Sequence, residues 1–212
     1  NFLMVGQWGN GGFGEDRKDI GKTIKLFYET FANMKEQPAL ILKTHGSTFS
    51  ILDREEILKR INSVKEMFPK DWKLPKIYLF HGDITDEEMN ELYNHPKIKA
   101  MVSITHGEGF GRPLLEATMT GLPVIASAWS GHLDFLNEDY NMLIPGELRQ
   151  VPKSAVWKDI IIAESQWFYA SENHFHNALK FCFENNSNFE EKGKSLMSIN
   201  RNKFTLKNMS IE

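Results

Sequence analysis

Short apolar runs alternate with longer segments of helical period through most of the chain. A short apolar run is typical of a buried strand, and apolar residues at helical spacing indicate a helix that buries one face. This alternation favours a parallel sheet with helices on both sides, the doubly wound, Rossmann-like α/β fold. The predicted strands lie at 2–5, 39–42, 76–80, 100–104, 122–126 and 141–144, and the predicted helices at 19–34, 53–67, 85–93 and 111–120.

Two of the helix starts carry capping signals. Asp53 followed by Glu56 predicts an N-cap at Asp53, and Thr85 followed by Glu88 predicts an N-cap at Thr85. Gly121 marks the end of the helix that begins near residue 111.

The pattern changes after Pro145. Residues 146–170 are predicted to be irregular, and the aromatic group around Trp157 and Trp167 is predicted to be core or an interdomain surface. From Ser171 the chain is predicted to be helical almost to its end. We therefore predict one domain over 1–212, with a sheet core at about 1–145 and the irregular segment and C-terminal helices at about 146–212.

Charge, apolar runs and cysteine content limit the partners and the cellular location that we expect for this protein. The formal net charge is -3, so no basic field favours nucleic acid or an anionic lipid surface as a partner. No apolar run is long enough to be a transmembrane segment, and the single Cys182 excludes an internal disulfide. We expect a cytoplasmic protein. The chain begins without Met inside a predicted strand, which favours a domain taken from a longer protein over the loss of a few N-terminal residues.

The segment 105–117 follows a predicted strand and opens a predicted helix. Ligands of doubly wound sheets bind beyond the carboxyl ends of the strands, so a ligand is expected here. Gly107, Gly109 and Gly111 allow close approach of a ligand to the backbone, and the amides at the helix start favour a phosphate. Pro113 fits the first helical turn. A glycine-rich turn is also common as plain tight packing, so the glycines alone leave a structural role open.

Two carboxylates frame this turn. Glu108 lies in the loop and Glu116 in the helix, with seven residues between them. Carboxylates accept paired hydrogen bonds from vicinal hydroxyls, which both sugars and ribose offer. A phosphate held between two hydroxyl-bearing rings describes a nucleotide sugar, which we therefore predict as the ligand.

The string EGFGRPLLEA at 108–117, followed by TGLPVIA at 120–126, resembles the signature of the group 1 retaining glycosyltransferases. The resemblance extends from Phe2 to about Ile144. It implies one half of a GT-B architecture: the C-terminal domain, which binds a nucleotide diphosphate sugar as donor. The missing N-terminal domain is then the acceptor-binding partner, and the isolated chain is expected to be inactive or weakly active.

The resemblance also implies roles for individual positions. Glu108 matches the glutamate that lies against the donor sugar near the reacting carbon, and Glu116 the one that binds the ribose hydroxyls. Ile84, in a segment similar to the one that holds the base, is expected to contact the base through its backbone, with Leu92 and Tyr93 nearby. The sugar and diphosphate are expected to face Gly109, Phe110, Gly111 and the helix-start amides of Leu114 and Leu115.

Arg17 and Lys18 match the basic pair that stabilises the leaving diphosphate in this family. Two positions differ from the family pattern: Gln7 stands where an Arg is common, and Asp19 where Gly usually follows the Lys. Lys22 is a possible substitute for Lys18, and all three cations also fit a solvated helix-start surface. Because basic charge at a helix start opposes the helix dipole, a bound anion would account for it.

Other polar residues near the predicted ligand edge carry weaker signals. Lys43 ends a predicted strand, where it either contacts a phosphate or is merely solvated. His106 is expected to be structural, and residues 130–132 are candidates to approach the acceptor. No His, Cys or Asp has metal-site spacing, and the family uses no fixed metal, so we expect neither metal nor cofactor.

Two rival functions remain open. One is a non-catalytic nucleotide-sugar-binding module derived from this family, which the presence of both Glu108 and Glu116 disfavours. The other is a non-hydrolysing epimerase on the same architecture, which predicts a different set of acidic residues.

Overall fold

A six-stranded parallel sheet forms the centre of the protein, with strand order β3-β2-β1-β4-β5-β6. The computed structural model describes residues 1–9 and 11–210. The strands of this sheet are β1 Phe2–Gln7, β2 Leu40–His45, β3 Ile77–Phe80, β4 Ala100–Ser103, β5 Val124–Ser127 and β6 Met142–Ile144. The helices are α1 Ile20–Phe31, α2 Ile51–Lys65, α3 Asp86–Tyr93, α4 Arg112–Met119, α5 Glu172–Glu184, α6 Asn186–Lys203 and α7 Leu206–Met209.

The strand order confirms the predicted doubly wound fold and places its switch point at β1. This strand pairs in parallel with β2 on one side and with β4 on the other, so the chain winds outward in opposite directions from it. The loops that follow β1 and β4 therefore leave neighbouring strands at the same sheet edge. That edge is where ligands of this fold class bind.

Alternating side chains of β1 enter two separate cores. Phe2 packs on α1 through Phe27, with ring centroids 5.7 Å apart, and belongs to the core shared with α2 and α5. Leu3 points to the opposite face, where Leu114 and Ala117 of α4 are buried. The period of two along the strand thus matches the helices on both faces.

The predicted N-cap at Asp53 is wrong. Helix α2 begins at Ile51, and its cap is Ser50, whose hydroxyl accepts from the Asp53 amide at 3.2 Å. The Asp53 carboxylate instead accepts from the amides of Gly46 at 2.9 Å and Ser47 at 2.8 Å. Both residues suit an N-cap, and the loop that follows β2 recruits the aspartate. The capping box of Thr85 and Glu88 is present as predicted.

Residues 146–170 are not irregular as predicted. Strands β7 Gly146–Gln150 and β8 Gln166–Ala170 form an antiparallel hairpin, so β6 is not the last strand. Every residue of β7 is exposed, which removes the buried–exposed alternation that marks a strand in a sequence. Pairing with β8 makes it a strand.

The C-terminal helices cover both cores. Helix α5 packs on α1, with the rings of Phe183 and Phe31 5.5 Å apart. Helix α6 packs on α4, and its buried Asn200 donates to the Thr118 hydroxyl at 2.8 Å. No described helix combines the length and apolar character that a membrane span requires.

Candidate functional site

The loops after β1 and β4 are joined by backbone contacts at the switch point. The carbonyl of Arg17 accepts from the His106 amide at 2.9 Å and from the Thr105 hydroxyl at 3.0 Å. These bonds place the first loop directly beside the glycine-rich turn, although Arg17 and Thr105 are 88 residues apart in the sequence. The two segments therefore form one site.

Glu108 lies between two cations in this site. Its side chain is only 8% exposed; one carboxylate oxygen is 3.1 Å from the Arg17 guanidinium and the other accepts from the Lys18 ammonium. Arg17 also donates to the Gly107 carbonyl at 2.6 Å. The structure thus brings together the three residues that the sequence assigned to the reacting end of the donor.

The ammonium of Lys18 is largely enclosed. Burial lowers its pKa, and the neighbouring Glu108 carboxylate partly offsets that shift. The Glu108 carboxylate therefore favours the charged form of Lys18.

Asp19 has a left-handed backbone, with φ 52° and ψ 42°. Glycine adopts this conformation most readily, and aspartate is among the few other residues that tolerate it. The Gly that the resembled family has at this position would fit the same backbone conformation. Burial raises the pKa of Asp19 to about 8, although Lys22 opposes the shift. Its Oδ2 lies 3.6 Å from Nε2 of His106.

Lys22 does not take the place of Lys18. Its ammonium is 2.9 Å from the Glu172 carboxylate at the start of α5. Gln7, at the other position that departs from the family pattern, donates to the Gly46 carbonyl at 2.7 Å. Neither side chain contacts Glu108 in the part of the chain that the structure describes.

His106 attaches the hairpin to the site. Its Nδ1 is 2.7 Å from the Phe168 carbonyl, and its own carbonyl accepts from the Phe168 amide at 3.1 Å. The imidazole stacks on Trp167, with ring centroids 4.8 Å apart and planes 13° apart. Burial lowers the pKa of His106, so the ring is neutral near pH ~7. His106 has a structural role. Trp167 is buried, whereas Trp157, which the sequence placed in the same aromatic group, is 65% exposed and does not belong to the core.

Ser130, Gly131 and His132 pack directly against the glycine-rich turn. The Ser130 hydroxyl accepts from the Glu108 amide at 3.0 Å and donates to the Glu108 carbonyl at 2.6 Å. Gly131 approaches so closely that a Cβ there would lie 1.9 Å from the Gly109 carbonyl oxygen. His132 is fully buried, with Nε2 2.7 Å from the Ser127 carbonyl. The sequence suggested an acceptor contact here and missed the supporting role.

Glu116 lines an open cleft of about 540 Å³ between α3 and α4. One of its oxygens accepts from Nε of Arg112 at 2.6 Å, and the other from the Tyr93 hydroxyl at 3.1 Å. The carboxylate is held in a fixed orientation at the cleft wall, with 35% of the side chain exposed. It can still accept hydrogen bonds from the hydroxyl groups of a ligand in the cleft, because each carboxylate oxygen has more than one lone pair.

The chain is similar in sequence and in fold to known proteins. The family profile described as Glycosyl transferases group 1 matches residues 19–150. This chain belongs to the group 1 glycosyltransferases. Serotype-specific mannosyltransferase WbdA of Escherichia coli is 30% identical over 125 residues, which are 59% of this chain and 13% of WbdA.

Solved structures share the glycosyltransferase fold. Sucrose-phosphate synthase from Thermosynechococcus elongatus superposes with a TM-score of 0.65 at 18% identity, over 99% of this chain and 43% of the synthase. Anabaena Alr3699/HepE in complex with UDP and glucose gives 0.58 at 15% identity, over 100% of this chain and 47% of HepE. The chain therefore has the fold of one domain of the GT-B architecture and spans less than half of either protein.

In this glycosyltransferase domain, the amides of Leu114 and Leu115 at the start of α4 are hydrogen-bonded within the helix. The amides of Leu114 and Leu115 both donate to the Gly111 carbonyl, at 2.9 and 3.1 Å, and their contact with a diphosphate stays a prediction. Gly111 is the N-cap residue of α4, with φ 87°, and its carbonyl accepts the first hydrogen bonds of the helix. Within residues 1–9 and 11–210, no acceptor is bonded to the amides of Gly109, Phe110, Gly111 and Arg112.

Two further predicted contacts lie apart from the Glu108 cluster. Lys43 is 8% exposed and donates to the Gly82 carbonyl, with its ammonium over the rings of Phe49 and Phe80. Lys43 is therefore not solvated, and it links β2 to the loop before α3; its contact with a phosphate stays a prediction. Ile84 is half-buried in that loop.

The side chain of Phe110 turns inward, where its ring lies 5.3 Å from that of Phe135. The residue as a whole is half-buried. Among the described residues, no group of three His, Cys, Asp or Glu side chains is arranged to hold a metal ion.

Proposed function

We propose that this chain is the donor-binding domain of a retaining glycosyltransferase that moves a sugar from a nucleoside diphosphate sugar to an acceptor. The observation that carries the proposal is the cluster of Glu108, Arg17 and Lys18 at the switch point of the sheet. A carboxylate beside two cations suits a reaction in which a sugar becomes positive while a diphosphate becomes negative.

The difficult step is cleavage of the bond between the anomeric carbon and the diphosphate oxygen. The bonding electron pair leaves with the diphosphate, and the acceptor hydroxyl oxygen bonds to the anomeric carbon on the same face. The hydroxyl proton passes to the departing diphosphate. Arg17 and Lys18 stabilise the leaving group, and Glu108 offsets the positive charge on the sugar.

The free backbone amides of the turn support binding of the diphosphate. Those of Gly109, Phe110, Gly111 and Arg112 lie at the start of α4, where the helix dipole adds positive potential. Glu116 is one turn further along α4 and accepts the ribose hydroxyls. With amides and basic side chains in these positions, the reaction requires no fixed metal ion and no further cofactor.

The active site is completed by a second domain that binds the acceptor. This chain covers 13% of WbdA and 43% of the synthase, and HepE is a protein whose structure holds UDP and glucose. By analogy, the parent of this chain contains an N-terminal acceptor domain, and the isolated chain binds donor with little or no transfer.

The experiment is a transfer assay on the longer protein that contains this chain, with nucleotide sugars in EDTA. Nuclear magnetic resonance of the product is expected to give the same anomeric configuration as the donor. Glu108→Gln is expected to abolish turnover, whereas Glu147→Gln, which removes an exposed carboxylate of the hairpin, is expected to leave it unchanged.

Each other outcome rejects a stated part of the proposal. An inverted product excludes retention. Donor binding without transfer to any acceptor identifies a non-catalytic binding module, and full activity of the isolated chain excludes the need for a second domain.

A further inference from the structure

The cleft between α3 and α4 contains a carboxylate that the proposed donor role leaves unused. Asp86, the first residue of α3, lines this cleft together with Glu116 of α4. The two side chains lie on opposite walls of about 540 Å³ of open space. If Glu116 accepts the ribose hydroxyls, Asp86 faces the next part of the nucleotide, which is the base.

The hydrogen bonding of the cleft distinguishes Asp86 from its neighbours. Both oxygens of Glu116 are engaged by Arg112 and Tyr93. In the described part of the chain no donor is hydrogen-bonded to the Asp86 carboxylate, although its charge, after that of Glu116, helps to raise the pKa of Arg112. Asp86 is therefore available to accept hydrogen bonds from a ligand.

A carboxylate accepts hydrogen bonds and donates none, and its two oxygens are side by side. Guanine presents two neighbouring donors, N1–H and the 2-amino group, which match this pair. Uracil presents one N–H between two carbonyl oxygens, whose lone pairs a carboxylate repels. Adenine presents its amino group beside an acceptor nitrogen, so it satisfies only one oxygen.

We propose that this cleft binds guanine, with Asp86 accepting from N1–H and the 2-amino group, and hence that the donor is a guanosine diphosphate sugar. The proposal rests on the donor-binding function, because it places the base by the position of Glu116. It goes beyond that function by selecting one base.

Arg112 and the methionines of the cleft support the same choice. Nε of Arg112 is bonded to Glu116, whereas its terminal N–H groups contact no acceptor among the described residues. Guanine also carries a pair of acceptors, O6 and N7, which a guanidinium recognises through two hydrogen bonds. Met89 and Met119 line the cleft as well, and thioethers pack favourably on aromatic rings.

The test is calorimetric titration of the chain with GDP, UDP, ADP and inosine diphosphate, which is GDP without the 2-amino group. We expect GDP to bind about tenfold or more tightly than the other three, in line with the discrimination of one paired contact. In Asp86→Asn the affinity for GDP is expected to fall about tenfold, while that for UDP and ADP is unchanged.

Glu87→Gln is the matched control, because it removes a neighbouring charge from the first turn of α3 and does not line the cleft. It is expected to behave as wild type. Tighter binding of UDP or ADP, or equal affinity of the wild type for GDP and inosine diphosphate, overturns the guanine assignment and leaves the donor site intact. Inosine diphosphate tests the contact even if Asp86→Asn does not fold. Failure of all four nucleotides to bind rejects the donor site itself.

Discussion

Ser130 holds the backbone of Glu108 from both directions, accepting from its amide at 3.0 Å and donating to its carbonyl at 2.6 Å. It does so in a conformation that glycine alone adopts easily, with φ 86° and ψ −172°. A side chain in this region costs about 1–3 kcal/mol and persists only where surrounding contacts fix it. The position of Glu108 is therefore maintained at the expense of stability.

Substitution of Ser130 separates the strain from the hydrogen bonds. Ser130→Ala loses both bonds and keeps the strain, whereas Ser130→Gly loses both bonds and relieves the strain. The glycine variant is expected to be more stable than the alanine variant by about 1–3 kcal/mol in denaturant unfolding. Both are expected to bind donor more weakly than wild type. Equal stability of the two variants would show that the backbone is unstrained.

Asp19 gives the protein a pH dependence. Its pKa is raised from 3.8 to about 8 by burial, so the folded state holds a proton that the unfolded state has released between these values. Stability from this residue is therefore present at low pH and is lost as pH rises toward about 8. Asp19→Asn removes the titration and tolerates the left-handed backbone.

The prediction concerns the difference in unfolding free energy between wild type and Asp19→Asn, since Asp16, Lys22, His106 and Glu172 are present in both. The unfolding free energy of wild type is expected to fall, relative to that of the variant, by up to about 1.4 kcal/mol per pH unit between about pH 5 and 8. Thermal unfolding across this range measures it. Parallel profiles would mean that Asp19 ionises normally.

Arg17 is expected to contribute to diphosphate affinity. Its guanidinium is 46% exposed beside Glu108, so a ligand phosphate can reach it. Arg17→Ala is expected to weaken binding of a nucleoside diphosphate about tenfold and to leave binding of the nucleoside unchanged, because a charge-assisted bond is lost only from the phosphate. Lys22→Ala is the control, since Lys22 pairs with Glu172. Equal loss for both ligands would indicate a structural effect of Arg17.

The sequence predicted those parts of the fold whose burial follows a regular period. The apolar stripe of α1 predicted a helix and the short apolar run of β1 predicted a buried strand, and the family resemblance assigned Glu108, Arg17 and Lys18 to one site. Hairpin β7–β8 was missed because β7 is exposed along its whole length. A strand that is stabilised only by pairing with its partner shows no periodic burial pattern in its own sequence.

Other differences from the prediction also depend on contacts that local sequence does not record. Whether Ser50 or Asp53 caps α2 depends on the backbone amides of the loop after β2, which the Asp53 carboxylate accepts from. The amides of Leu114 and Leu115 are engaged because the carbonyl of Gly111, the N-cap residue, accepts the first hydrogen bonds of α4. Ser130 carried one signal in the sequence, its place before Gly131 after a buried strand, but its backbone conformation is visible only in the structure.

The most direct test of the account is calorimetric titration of wild type and Glu116→Ala with UDP, GDP and ADP in EDTA, with Tyr93→Phe as the control that keeps the carboxylate. We predict saturable binding to wild type, tightest for one of the three nucleotides, and a loss of about 1.5–3 kcal/mol, tenfold or more in affinity, in Glu116→Ala. Tyr93→Phe is expected to lose much less. No binding by wild type, or equal affinity in Glu116→Ala, would contradict the assignment of a nucleotide-sugar donor site to this turn.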